Sequence, residues 1–119
     1  MNPKSFLQIG GVILLVLGAL GFLVERPLGD LLWLTPLENI AHAVLGIVAL
    51  VLSPLPLGDL KKWVVVLVGL IALAVGVWGF LLADASSPNF YGAHLDNPLD
   101  NIIHVVVGVW ALLSAFKKS

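Results

Sequence analysis

The sequence predicts an all-α protein, a four-helix transmembrane bundle built from two helical hairpins, and three observations predict it. The first is composition: 60% of the 119 residues are apolar and only 11% are charged, against about 45–50% and about 25% in soluble domains. A chain this small cannot hide so much apolar surface, because small domains leave much of their surface exposed. The second is that the apolar residues fall into four stretches, near 5–24, 37–53, 63–83 and 99–116. Each is close to the ~20 residues that cross a hydrocarbon core of ~30 Å. The third is that these stretches are continuous. Membrane β-strands would alternate apolar and polar residues, whereas a helix satisfies its own backbone groups without water.

The first stretch, 5–24, is longer than the core of a secretory signal, lacks an Ala-x-Ala-like end and is followed by three more spans. It is expected to be a retained helix, closed by Glu25-Arg26-Pro27. The second, 37–53, is the shortest. It opens on Thr35-Pro36-Leu37-Glu38, which reads as an N-cap, a proline at the first helical position and a capping-box acid at the third. Pro54-Leu55-Pro56 and Gly58-Asp59 separate it from the third stretch, 63–83. The longest polar segment, Asp84 to Pro98, precedes the fourth stretch, 99–116, which opens on a second cap pattern, Asn97-Pro98-Leu99-Asp100. A carboxylate there also meets the positive end of the helix dipole. The whole of 1–119 is expected to be a single membrane domain.

Orientation follows from the lysines. Lys4, Lys61, Lys62, Lys117 and Lys118 occupy the N-terminus, the central loop and the C-terminus, which four spans place on one side; Arg26 alone lies on the other. Short loops that retain Lys and Arg are cytoplasmic. Both termini are therefore expected in the cytoplasm, with the chain in the inner (cytoplasmic) membrane. Every acidic residue except Asp59 falls on the outer side. Trp33 outside and Trp63 inside stand where interfacial aromatic anchors belong.

The two halves repeat. Gly11, Gly18, Gly21, Phe22 and Leu23 correspond to Gly69, Gly76, Gly79, Phe80 and Leu81 at an offset of 58 residues. Pro36-Leu37-Glu38-Asn39-Ile40, His42, Gly46 and Ala49 correspond to Pro98-Leu99-Asp100-Asn101-Ile102, His104, Gly108 and Ala111 at an offset of 62. The extra four residues fall in the outer loop, where insertions are tolerated. The repeats cover about 5–53 and about 63–116. Each is a hairpin, so the two copies share an orientation and are expected to be related by an axis along the membrane normal.

Glu38, Asn39, His42, Gly46 and Ala49 stack along one side of the second helix, as do Asp100, Asn101, His104, Gly108 and Ala111 on the fourth. Polar groups avoid lipid, so this polar-and-small stripe is expected to face the bundle interior, the glycines giving close packing. The duplicated Pro-Leu-acidic-Asn-x-x-His-x-x-x-Gly pattern resembles a family of small bacterial four-helix membrane proteins known only as a domain of unknown function. The resemblance covers nearly the whole chain, and the Asn-x-x-His-x-x-x-Gly pair is its most specific part. It implies the same topology, points to Asn39, His42, Asn101 and His104, and implies no activity. Many members carry histidine where Glu38 stands, and this chain departs from them there.

For Glu38 and Asp100 the simplest role is helix capping; for Asn39 and Asn101 it is a supporting network of interhelical hydrogen bonds. His42 and His104 fit a structural pair in the same way. Two ligand readings stand beside this one. His42 and His104 with Glu38 and Asp100 have the donor types of a divalent-metal site, or the two histidines are axial ligands of a b-type haem. A proton-responsive cluster would use the same groups. His94, in the long outer loop and without a counterpart, is most simply a loop residue.

Other classes are excluded by what the chain lacks. With no cysteine there are no disulfides, thiolate ligands or cysteine nucleophiles. It has no phosphate loop, dinucleotide fingerprint, HExxH pair or serine triad, and no dense basic patch for nucleic acid. The leading expectation is a non-enzymatic membrane protein, a structural or accessory subunit, with the bilayer and a partner subunit or further copies of itself as partners. The alternative is a module holding haem or a divalent metal.

Overall fold

The computed structural model describes residues 2–24, 26, 32, 34–82 and 98–117, and the account that follows concerns these. They form four helices and no strand: α1 (Pro3–Leu23), α2 (Pro36–Leu52), α3 (Asp59–Leu81) and α4 (Leu99–Ala115). Trp33, Asn97, His94 and Lys118, which carried the outer anchor, the second cap, the loop imidazole and part of the basic side, lie outside the described residues.

Each helix start has a local cause. In α1, Asn2 Oδ1 accepts the Ser5 N–H at 2.8 Å and Pro3 takes the first turn, so the helix opens two residues before the apolar run. In α2 the capping box is complete: Thr35 Oγ1 accepts the Glu38 N–H and Glu38 Oε2 accepts the Thr35 N–H, both at 3.3 Å. A box of this kind is worth about 0.5–2 kcal/mol. α3 begins four residues earlier than the apolar run, after Gly58, whose φ of 57° is a backbone state that glycine adopts without strain. Lys61 and Lys62 therefore occupy the first turn of α3 and not the loop before it.

α4 departs from the expected cap. Pro98 stands at the N-cap itself with φ −95° and ψ −11°, and among the described residues no side-chain cap hydrogen bond is made there. The start has slipped by one residue relative to α2. Asp100 thus falls at the second helical position, one short of the place from which an acid closes a capping box.

The helices pair as antiparallel hairpins, α1 with α2 and α3 with α4. Backbone touches backbone along both seams. A Cβ added at Gly46 would lie 2.7 Å from Gly11 O, and one at Gly18 would lie 2.8 Å from Asn39 O. The second hairpin shows matching contacts: a Cβ at Gly108 would lie 2.9 Å from Gly69 O, and one at Gly76 would lie 2.9 Å from Asn101 O. Only glycine permits this approach, because real Cβ atoms need more room.

Between hairpins the contact is thinner and runs through α1, which meets both α3 and α4. It gathers at the end where α1 and α3 begin and α2 and α4 finish. Phe6, Leu7, Val65, Ala111 and Ala115 are buried together there, flanked by Leu52 and Trp110. Phe6 meets Trp110 edge-to-face, with ring centroids 4.6 Å apart, an arrangement favoured by the ring quadrupoles.

α1 and α3, with 21 and 23 residues, are long and apolar enough to cross a membrane; α2 and α4, with 17 each, are apolar but shorter. Only 28% of the apolar window in α1 and in α3 is buried. The core helix of a soluble protein would be mostly covered. Here Val12, Val16, Val44, Val48, Leu67, Leu70, Val106 and Leu113 are among the large apolar side chains left exposed.

Candidate polar centre

The expected single stripe on α2 is two adjoining strips in the structure. Asn39, Ala43, Gly46 and Leu50 face α1, against Gly21, Gly18 and Gly11. Glu38 and His42, one turn apart, form the neighbouring strip, rotated from Asn39 by about 60–100° around the helix axis. α4 divides in the same way: Asn101, Val105, Gly108 and Leu112 meet Gly76, Leu73 and Gly69, while Asp100 and His104 pair beside them. The stripe as a whole does not face one common axis. Its small-residue half closes each hairpin, because the glycines of α1 and α3 leave room for the backbones of Asn39 and Ala43 on one side and of Asn101 and Val105 on the other.

Asn39 is 2% exposed and Asn101 is fully covered. Asn39 Nδ2 donates to Leu34 O at 3.4 Å, while its Oδ1 is buried without a hydrogen-bond partner. The amide occupies the space a side chain at Gly21 would need. The sequence led us to expect the asparagines to hydrogen-bond between helices; Asn39 bonds instead to the Leu34 carbonyl in the approach to its own helix.

The two histidines are half-buried and differ in their partners. His104 Nδ1 lies 2.8 Å from the Asp100 carbonyl oxygen and 3.0 Å from Asp100 Oδ1. Both are acceptors, so Nδ1 carries the proton and donates to them, and in the neutral ring the lone pair is left on Nε2. His42 Nδ1 is buried and has no hydrogen-bond partner. Its carboxylate neighbour, Glu38, is bonded to the cap of its own helix. The equivalent acids thus serve different ends: Glu38 fixes the start of α2, and Asp100 fixes the ring of His104. His42 lies within electrostatic reach of His104 and Asp100, and His104 within reach of Glu38. Among the described residues no three His, Asp or Glu side chains group as metal ligands.

Fold and centre together define an all-helical protein of two glycine-closed hairpins with polar side chains at one end. Comparison with protein-family models, curated proteins and solved structures finds no match to the chain.

Proposed function

We propose that the chain is a multi-pass membrane protein with cytoplasmic termini, serving as a non-enzymatic structural or accessory subunit of the inner membrane. The observation that carries this reading is the ring of exposed apolar side chains around all four helices. At about 25 cal/mol per Å², wetting that ring would cost far more than the few kilocalories by which proteins are stable; lipid removes the cost. The short α2 and α4 span by local thinning of the bilayer, at a cost of fractions of a kcal/mol per Å. The polar side chains support the accessory role, since Glu38 and Asp100 bond within their own helices and Asn39 lies in a hairpin seam.

Cysteines introduced as Ser87→Cys and Ser119→Cys test the topology. An impermeant thiol reagent should label the first on intact cells and the second only after lysis. Equal labelling from outside would refute it.

A ligand-holding centre is the second reading, favoured by one observation: Asp100 orients His104 as a carboxylate behind a metal site orients the imidazole that ligates it. Two imidazoles meet the axial demand of a b-type haem and fall short of the three or four protein ligands of a zinc site. His42 and His104 would be the axial pair. A visible absorption band in the purified protein, lost on His104→Ala, would establish it.

A further inference from the structure

At the end of the molecule opposite the histidines lies an open cavity of about 500 Å³, within the about 300–1,000 Å³ common for ligand sites. Three lysines, Lys61, Lys62 and Lys117, line it beside the apolar Pro3, Ala115 and Phe116. We propose that this cavity holds the anionic headgroup of a membrane phospholipid, an inference that rests on the membrane reading above.

Charge comes first. Lys61 and Lys62 stand side by side in the first turn of α3, the positive end of that helix's dipole, and Gly58 brings no side-chain cap to it. Lys61 Nζ donates to Ser53 O at 2.7 Å, which leaves two of its three N–H groups for another acceptor. Lys62 Nζ rests 4.7 Å from the centre of the Phe116 ring and 5.2 Å from that of Trp63. These contacts hold both ammonium groups at the cavity without neutralising them. Among the described residues none of the three lysines forms an ion pair, although the Asp59 carboxylate lines the same cavity. The site keeps a positive excess.

Shape then chooses the class of anion. The polar floor is continuous with apolar surface: Phe116 and, one turn earlier, Leu113 are each 64% exposed. A ligand with an anionic head and an acyl tail satisfies both, the head among the lysines and the tail along Phe116 and Leu113. Free phosphate would use the lysines and leave the apolar wall bare. Basic pockets between membrane helices on the cytoplasmic side bind anionic headgroups on this principle.

The test uses the full chain purified in a neutral detergent. It is offered equal amounts of phosphatidylglycerol and phosphatidylcholine with identical acyl chains, and bound lipid is counted by native mass spectrometry. Phosphatidylglycerol should be preferred about thirtyfold, as an excess of two lysine charges near a lipid surface predicts. Lys61→Gln combined with Lys62→Gln should abolish the preference. Lys62→Arg, which keeps the charge and the ring contact, should retain it, as should Lys4→Gln, an exposed residue outside the cavity. Equal binding of the two lipids, or a preference unchanged in the double variant, overturns the inference. Displacement of phosphatidylglycerol by millimolar inorganic phosphate assigns the site to a free anion and also overturns it. Alkaline carbonate extraction of the same strains reads the membrane reading separately: protein released into the soluble fraction defeats that reading, whereas membrane-retained protein without lipid preference defeats only the lipid site.

Discussion

At the scale of single residues, the two copies of one motif have parted company. Glu38 and Asp100 occupy equivalent places in the sequence, yet one closes a capping box and the other holds an imidazole. One methylene and a one-residue slip of the helix start separate these roles. Asp100→Asn should therefore alter the histidine 15N spectrum, because His104 exchanges a charged acceptor for a neutral one about half as strong. Glu38→Gln should leave the imidazole signals in place and cost on the order of 1 kcal/mol or less in thermal unfolding. Equal perturbation of the histidine signals by both changes would show that the acids act alike. The two histidines give a second prediction. On the structural reading, His42→Ala and His104→Ala destabilise independently, and the double variant loses their sum to within about 0.5 kcal/mol. A coupling well above that, measured in detergent, would indicate a shared ligand. The chemistry of Thr35-Pro36-Leu37-Glu38 was legible in the sequence because a cap is decided within four residues. That of Asp100 was not, because Pro98 can open a helix either at the first helical position or just before it, and nothing local chooses.

At the scale of elements, glycine placement separates what touches from what does not. Gly10 and Gly11 are neighbours in α1. A Cβ at Gly10 would find its nearest atom at 3.9 Å, whereas one at Gly11 would meet Leu50 Cγ at 2.9 Å and Gly46 O at 3.0 Å. Gly10→Ala should be neutral or stabilise slightly, since alanine favours helix by about 1 kcal/mol over glycine. Gly11→Ala and Gly46→Ala should each cost about 1–3 kcal/mol as the seam is forced open, and Gly108→Ala should behave like Gly46→Ala. Thermal unfolding in detergent would rank them; a Gly11→Ala variant as stable as Gly10→Ala would contradict the seam. The glycines could be read from the sequence as close-packing positions. Which helix they approach could not, because residues three and four apart differ by only about 40–60° around the axis from a shared face, and a stripe that wide can serve two neighbours.

At the scale of the whole molecule, cohesion is uneven. Each hairpin is closed by backbone contact, while the hairpins meet mainly through α1 and the cluster around Phe6 and Trp110. Trp110→Ala should loosen the union of the hairpins and spare each one: if residues 1–57 and 58–119 are expressed as separate chains, they should copurify with Trp110 and separate without it. Copurification unaffected by the change would place the main joint elsewhere. Hydropathy made four helices and their pairing order legible. The joint was hidden, because Phe6 and Trp110 look in sequence like any other lipid-facing aromatics.

That unevenness has a consequence for how the protein is made. A hairpin that seals itself with its own glycines needs nothing from the chain that follows. On the membrane reading proposed above, α1 and α2 can pack against each other in the bilayer before α3 and α4 join them, with Asn39 and the polar end of the seam shielded from lipid. The second hairpin then arrives as a unit of the same build, and the pair needs only to be stapled at Phe6 and Trp110. Biogenesis would proceed in two equal strokes, and a fault in the second would leave the first intact in the bilayer.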